Sequence, residues 1–348
     1  MKNKKTALWL AVIVTAIIPA CTQKHDIEKD FKAKPIDRGK GVEIIAYVGE
    51  KWQVRIPPRI QNIPVTHIGE RAFQKKELIS VTIPDGVTSI GEGAFSNTGL
   101  TSITIPKNVT NIGEDVFAGC GDLTAINVAS GNANYSSDRM GVLYNKDKTV
   151  LIHYPRGKTD NIFIIPDSVT NIGDGIFQSC RSLTSITIGN GVTDIGDYAF
   201  ASCINLAGIT IPDSVTEIGD HAFELCKGLT SVTIGNGVIS IGRLAFCRTG
   251  LTSVTIPDSV THIRYGAFME CTSLTNVTIG SGVTNIAEGA FYDCKSLTSV
   301  TFQSSITSAN LSYNGPFPGD LRTKYFAKGG GIGTYTRPSG SSNTWTKQ

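Results

Sequence analysis

One 23-residue unit, cleanest from Leu183 to Cys203 as LTSITIGNGVTDIGDYAFASC, recurs along most of this chain and limits its fold more than any other feature. Reduced to its large residues it is L-x-x-I-x-I-x-x-x-V-x-x-I-x-x-x-A-F-x-x-C. Aligned on the phenylalanine, nine units appear, at Phe73, Phe95, Phe117, Phe177, Phe200, Phe223, Phe246, Phe268 and Phe291. They step by 22 or 23 residues except for one gap of 60. Residues 185–188 alternate polar and apolar, as a half-buried strand does, and residues 192–195 alternate again after a turn. Residues 197–203 lose the alternation and read as a short helical turn. A single unit cannot bury its own apolar side chains or pair its strand edges, so stability must come from stacking.

A repeat of this length and aliphatic spacing predicts a repeat solenoid of the leucine-rich-repeat kind. The expected form is a right-handed coil with a parallel β-sheet face, short helical turns and hairpin caps at both ends. A second period overlies the first: Pro166-Asp167-Ser168, Pro212-Asp213-Ser214 and Pro257-Asp258-Ser259 alternate with Gly189-Asn190-Gly191, Gly235-Asn236-Gly237 and Gly280-Ser281-Gly282. Proline fixes φ and glycine frees it, so the two triplets turn the chain by different means. The alternation suggests growth by duplication of coil pairs.

The frame I-P-D-S-V-T-x-I-G-x-x-A-F-x-x-C-x-x-L-T-S-V-T-I resembles the BspA-type leucine-rich repeat of bacterial surface proteins, across residues 42–302. The resemblance implies a surface scaffold. Family members are implicated in adhesion to host matrix proteins, coaggregation and host-cell contact, which makes a protein ligand the expected partner. Because fold does not dictate function, a passive surface-layer component without a specific ligand is the alternative.

Residues 1–21 read as an export signal: Lys2, Lys4 and Lys5 precede a short apolar run from Ala7 to Ala20. The run ends Ile18-Pro19-Ala20-Cys21, which resembles a lipoprotein lipobox with Cys21 as the lipidated residue. Membrane attachment is expected only through that anchor, because the run is shorter than the ~20 residues of a spanning helix. Removing this segment takes three lysines from 32 basic residues and leaves a balance with 29 acids. That lacks the basic footprint of a nucleic-acid binder.

Residues 22–41, charged and poor in apolar groups, are expected to be a solvated tether, and 42–62 a capping hairpin turning at Gly49-Glu50, with Tyr47 and Trp52 free to stack. Repeats are placed at 63–128 and 165–302, a β-hairpin insertion at 129–164 and a C-terminal cap at 303–348. The glycine run at 329–333 lacks the flanking strand, helix and Lys-Ser/Thr of a phosphate loop.

Three patterns could carry binding. The first is a strip of hydroxyls on the exposed strand face, including Thr187, Thr210, Thr233 and Thr255, which strand propensity and Thr–Thr pairing also explain. The second is the insertion, whose Tyr135, Tyr144, His153 and Tyr154 either meet a ligand or pack the hairpin onto the stack. The third is Arg243 and Tyr265, where a column otherwise acidic in most units is interrupted. Its acids, such as Asp197 and Asp220, suit the start of a helical turn.

Cys120, Cys180, Cys203, Cys226, Cys271 and Cys294 recur at the coil period and are expected as a reduced, inward structural ladder, with Thr98 and Thr249 as substitutes. Cys247 falls off the ladder and is expected to face outward as a free thiol. No C-x-x-C pair supports a metal site, no cofactor motif is present, and no G-x-S-x-G, H-E-x-x-H or Walker pattern supports an enzyme. The pattern carries no signal for oligomeric state.

Overall fold

The computed structural model describes residues 26–348; the signal segment and Cys21 lie outside the described residues. The chain winds into a β-solenoid of about eleven stacked parallel turns. Each coil contributes one longer strand, one short strand and a run of turns. Gly208–Ile211 pairs in parallel with Ser231–Ile234, placing Ile209 on Val232 and Thr210 on Thr233. Glu217–Ile218 pairs in the same sense with Ser240–Ile241. Equivalent residues therefore sit one above another, which is what a coil-length sequence period requires.

The repeat's aliphatic positions point inward. In one coil Leu206, Ile209, Ile211, Val215, Ile218, Ala222, Phe223 and Cys226 are all buried. The phenylalanines form a column: centroids are 5.0 Å apart for Phe200–Phe223 and for Phe223–Phe246, with planes within 5° of parallel. Neighbouring coils thus supply the partners that one coil lacks.

The segment after the short strand is not helical. Tyr198 and Ser202 both adopt left-handed backbone, at φ 56° and 61°. Alternate N–H groups bond within the coil and across coils. Ala199 and Ala201 donate to Gly196 and Tyr198, while Phe200 and Ser202 donate to Ala222 and Glu224 of the next coil. Cross-coil bonding of this third side outcompetes helix, which would satisfy only local carbonyls. Among the described residues the sole α-helix is Leu321–Phe326, in the C-terminal cap.

The N-terminal region departs from expectation twice. Residues 22–41 are not a tether throughout: Phe31–Ile36 pairs antiparallel with Gly41–Tyr47, and Phe31 is buried against the Tyr47 ring at 5.4 Å. Nor is 42–62 a hairpin. Gly41–Tyr47 runs parallel to Ile63–Ile68, and Gln53–Arg55 runs parallel to Ser80–Thr82. The segment is a first coil, because Tyr47 fills the phenylalanine position and stacks on Phe73 at 5.5 Å. Trp52 does not stack on Tyr47; it stands 62 % exposed.

The insertion is a three-stranded antiparallel sheet of Tyr135–Ser137, Leu143–Asn145 and Leu151–His153. It ends earlier than expected, since Ile162–Ile164 already pairs in parallel with Ser185–Thr187. The hydrophobic core divides here, with Leu143 in the N-terminal half and Val142 in the C-terminal half. At the far end Phe317 extends the ring column, 4.8 Å from Phe291. Gly333–Thr336 covers the last long strand, Ser299–Phe302, in antiparallel register. The buried Arg337 guanidinium donates to the Leu297 carbonyl and lies over Trp345.

Candidate functional site

Strand pleat puts every second residue of the longer strands on the open face, and stacking in register lines them up. Thr187, Thr210 and Thr233 are exposed and form the floor of a shallow trough of about 1210 Å³. Its walls are the alternating turns, with Asp167, Asn190, Asp213 and Asn236 along the rim. Thr255 is exposed on the following strand, one coil beyond the trough. The floor is uncharged, so a docking group meets hydroxyls and the backbone of a rigid sheet.

One end of the trough holds a feature the sequence reading missed. Ile162 and Ile164 replace the hydroxyl residues on the strand beside Ser185–Thr187, and they are 60 % and 64 % exposed. The signal was present, because I-F-I-I-P-D-S at 162–168 matches the frame of S-V-T-I-P-D-S at 253–259. Alignment on phenylalanine hid it, since Tyr154 takes the ring position of that coil. The trough is therefore a hydroxyl floor with an apolar step at one end.

The insertion aromatics do not form a surface site. Tyr144 and Tyr154 are buried, and burial pushes both phenols up. Tyr154 packs on Phe177 at 5.0 Å and His153 meets Phe117 edge-on at 5.5 Å. Together they carry the ring column across the break between the two core halves. Tyr135 is half-buried, and its hydroxyl accepts the Ile112 N–H at 3.0 Å. The His153 Nε2 is closed off without a partner, and desolvation, aided by Arg156, lowers its pKa to about 3.

Arg243 and Tyr265 come together, with the guanidinium carbon 5.7 Å from the ring centroid, and both are exposed. The surrounding charge is largely neutralised. Arg248 donates twice to Glu270, both at 2.9 Å, and Arg264 lies 3.3 Å from Glu217. The aspartates of the acidic column that Arg243 interrupts have a bonding role rather than a helix-dipole role. Asp174 accepts the backbone N–H of Asp197, Asp197 that of Asp220, and Asp220 that of Arg243, at 2.7–2.8 Å.

The cysteine ladder is internal. Cys203 donates to the Phe177 carbonyl at 3.0 Å, Cys226 to Phe200 at 3.1 Å and Cys294 to Phe268 at 3.1 Å. Cys120 and Cys271 do the same to Phe95 and Phe246. Thr98 and Thr249 reach the phenylalanine carbonyl of their own coil. Cys180 is likewise buried, and all seven described cysteines are free. Burial raises the ladder thiols, Cys203 to about 12 and Cys271 to about 11. Cys247 is not the exposed thiol expected: it is only 3 % exposed, and burial lifts it to about 12. Its side chain lies between coils, because the turn run packs against its neighbour rather than projecting as a helix would. Among the described residues no group of three His, Cys, Asp or Glu side chains is placed to hold a metal ion. No helix there is long and apolar enough to cross a membrane.

Coils of this length, with parallel strands and an inward Cys/Thr ladder, define a leucine-rich-repeat scaffold. The BspA type leucine rich repeat region matches in six copies over residues 59–143, 158–272 and 239–312. The chain belongs to this family. It is similar to a leucine-rich repeat protein from Eubacterium ventriosum at 26% identity, covering 77% of this chain and 88% of that one with a TM-score of 0.63. A leucine-rich repeat protein from Bacteroides ovatus is also 26% identical, over 78% of this chain and 70% of that one, with a TM-score of 0.58. The pneumococcal vaccine antigen PcpA shares the fold at 23% identity, over 79% and 62% of the two chains, with a TM-score of 0.52. No curated protein matches the chain.

Proposed function

We propose that this protein is an exported, surface-exposed scaffold, lipid-anchored at Cys21, that binds a protein partner in adhesion. The trough carries the reading: Thr187, Thr210 and Thr233 present a rigid, uncharged floor beside exposed Ile162 and Ile164. Rigidity limits the ordering cost of binding, and the apolar step supplies the desolvating anchor that a hydroxyl sheet alone lacks. Arg243 and Tyr265 offer a second, smaller contact on another side of the coil.

The test is binding of residues 22–348 to a panel of matrix glycoproteins, mucins and polysaccharides, beside a Thr187→Lys/Thr210→Lys variant. Saturable protein binding that the variant loses at unchanged thermal stability supports the trough. Binding that survives both lysines moves the site to the Arg243–Tyr265 edge. Silence across the panel favours a passive surface-layer role.

A further inference from the structure

The anchor position and the first described residue are close in sequence. Asp26 is already part of the folded end: its N–H donates to the Arg55 carbonyl, and its carboxylate receives the Arg55 N–H and pairs with Lys51. Four residues separate it from Cys21, and the five steps between them span at most ~18 Å even when fully extended. A lipid on Cys21 therefore holds the first coil within that distance of the bilayer, far less than a twenty-residue tether would allow.

The surface at this end has the composition of an interface. Trp52, Ile27 and Val48 are exposed on segments tied together by the Asp26–Lys51 pair and by the Val48 N–H to the Asp30 carbonyl. Ile79, also exposed, lies beside Trp52 and donates its N–H to the Trp52 carbonyl. Exposed Lys29, Lys32 and Lys51 lie on the same segments, with exposed Glu28 and Glu50 among them. An indole among aliphatic groups, with nearby lysines whose stems can lie along apolar surface, suits the headgroup layer. The outermost strand, Phe31–Ile36, argues against a second copy as occupant. Its free edge carries Lys32, Lys34 and Pro35, residues that block strand addition.

We infer that the N-terminal end of the solenoid, centred on Trp52, Ile27 and Val48, is a membrane-contact surface that seats the coil stack on the bilayer. The inference rests on the Cys21 anchor proposed above. It presents the trough from a stack standing on its first coil, not from a module swinging on a leash.

Signal cleavage before Cys21 removes Trp9 and leaves two tryptophans at opposite ends, exposed Trp52 and the 1 % exposed Trp345. The full-length protein, acylated in an expression host, is purified and reconstituted into phosphatidylcholine/phosphatidylglycerol vesicles containing brominated lipid. Acylation is read by mass and attachment by flotation. The expected result is loss of at least half of the Trp52 emission, absent from a Trp52→Phe variant that reports Trp345 alone. Acylated, floating protein with unquenched Trp52 overturns the contact surface and leaves the anchor standing. Protein that is neither acylated nor floating removes the anchor and the inference with it. A blue shift of Trp52 that follows protein concentration without lipid assigns the patch to a second copy and overturns the membrane reading.

Discussion

The Asp213 carboxylate accepts the backbone N–H of Asn236, one coil away, at 2.7 Å. Asp167 does the same for Asn190, and Asp258 for Ser281. In the other direction, the Ser214 hydroxyl donates to the Val192 carbonyl and Ser259 to Val238. The Pro-Asp-Ser turns at 212–214 and 257–259 thus bind the glycine turns on both sides, while Ser168 of the first such turn donates to the Lys148 carbonyl of the insertion. The alternation of turn types is a physical lock between unlike neighbours, whatever duplication produced it. Glycine is required in the partner turn because a Cβ on Gly237 would lie 1.8 Å from the Asp213 carbonyl oxygen.

Gly237→Ala therefore has to separate two coils or distort the turn. Overpacking of this kind costs about 1–3 kcal/mol, and the urea midpoint is expected to fall accordingly. Asp213→Asn keeps an acceptor for the Asn236 N–H and should fall by much less. Equal losses in the two variants would count against the close approach as the reason for glycine.

Left-handed backbone at non-glycine residues costs about 1–2 kcal/mol. Ser202 pays it at φ 61°, in a column where Gly119 sits at φ 73°. Ser202→Gly should raise stability by about 1 kcal/mol after the added chain entropy of glycine is subtracted. Thermal melts of the single variant test this, and a destabilised protein would show that the serine side chain matters more than its backbone.

Much of the fold was legible because its inward positions recur with the coil. Phe223, Cys226 and Ile218 lie where the spacing put them, and the ladder cysteines face the core as their period required. The turn run was misread as helical because Tyr198, His221 and Leu244 mask a left-handed column that Gly93, Gly175, Gly266 and Gly289 alone announce. The insertion aromatics stayed open between ligand contact and packing because sequence shows aromatic content but not which side of a sheet it serves. Tyr154 stands where a phenylalanine would, one regular 23-residue step before Phe177, but as a tyrosine. The trough floor was legible as alternation; its apolar end at Ile162 and Ile164 was lost behind that substitution.

His153 links the insertion to pH. Its folded pKa, about 3, lies below the ordinary 6.5, so between these values the unfolded chain binds the additional proton. Stability then rises with pH across that window and falls on acidification, by up to about 1.4 kcal/mol per pH unit. Below pH 3 both states are protonated and the dependence ends. His153→Phe removes the unpartnered Nε2 and continues the ring column, so it should flatten the profile between pH 3 and 6.5. Denaturant midpoints against pH for both proteins measure it, and parallel profiles would clear His153 of the effect.

Thiol chemistry offers an independent reading of the ladder. Disulfide exchange needs the thiolate, and burial holds the thiols of Cys203, Cys247 and Cys271 near 11–12. At pH 8 native protein cleaved before Cys21 should therefore react with an aromatic disulfide at Cys21 alone, and at no cysteine once Cys21 is acylated. All seven internal thiols should titrate only after denaturation. Cys247 is the discriminating residue, since a turn run that projected as a helix would leave it open to reagent. A Cys247→Ser variant identifies it. If native protein shows one fast thiol besides Cys21, and Cys247→Ser abolishes it, the turn run opens at that coil in solution. If the native count is unchanged by Cys247→Ser, the third side of the solenoid is closed through its cross-coil hydrogen bonds.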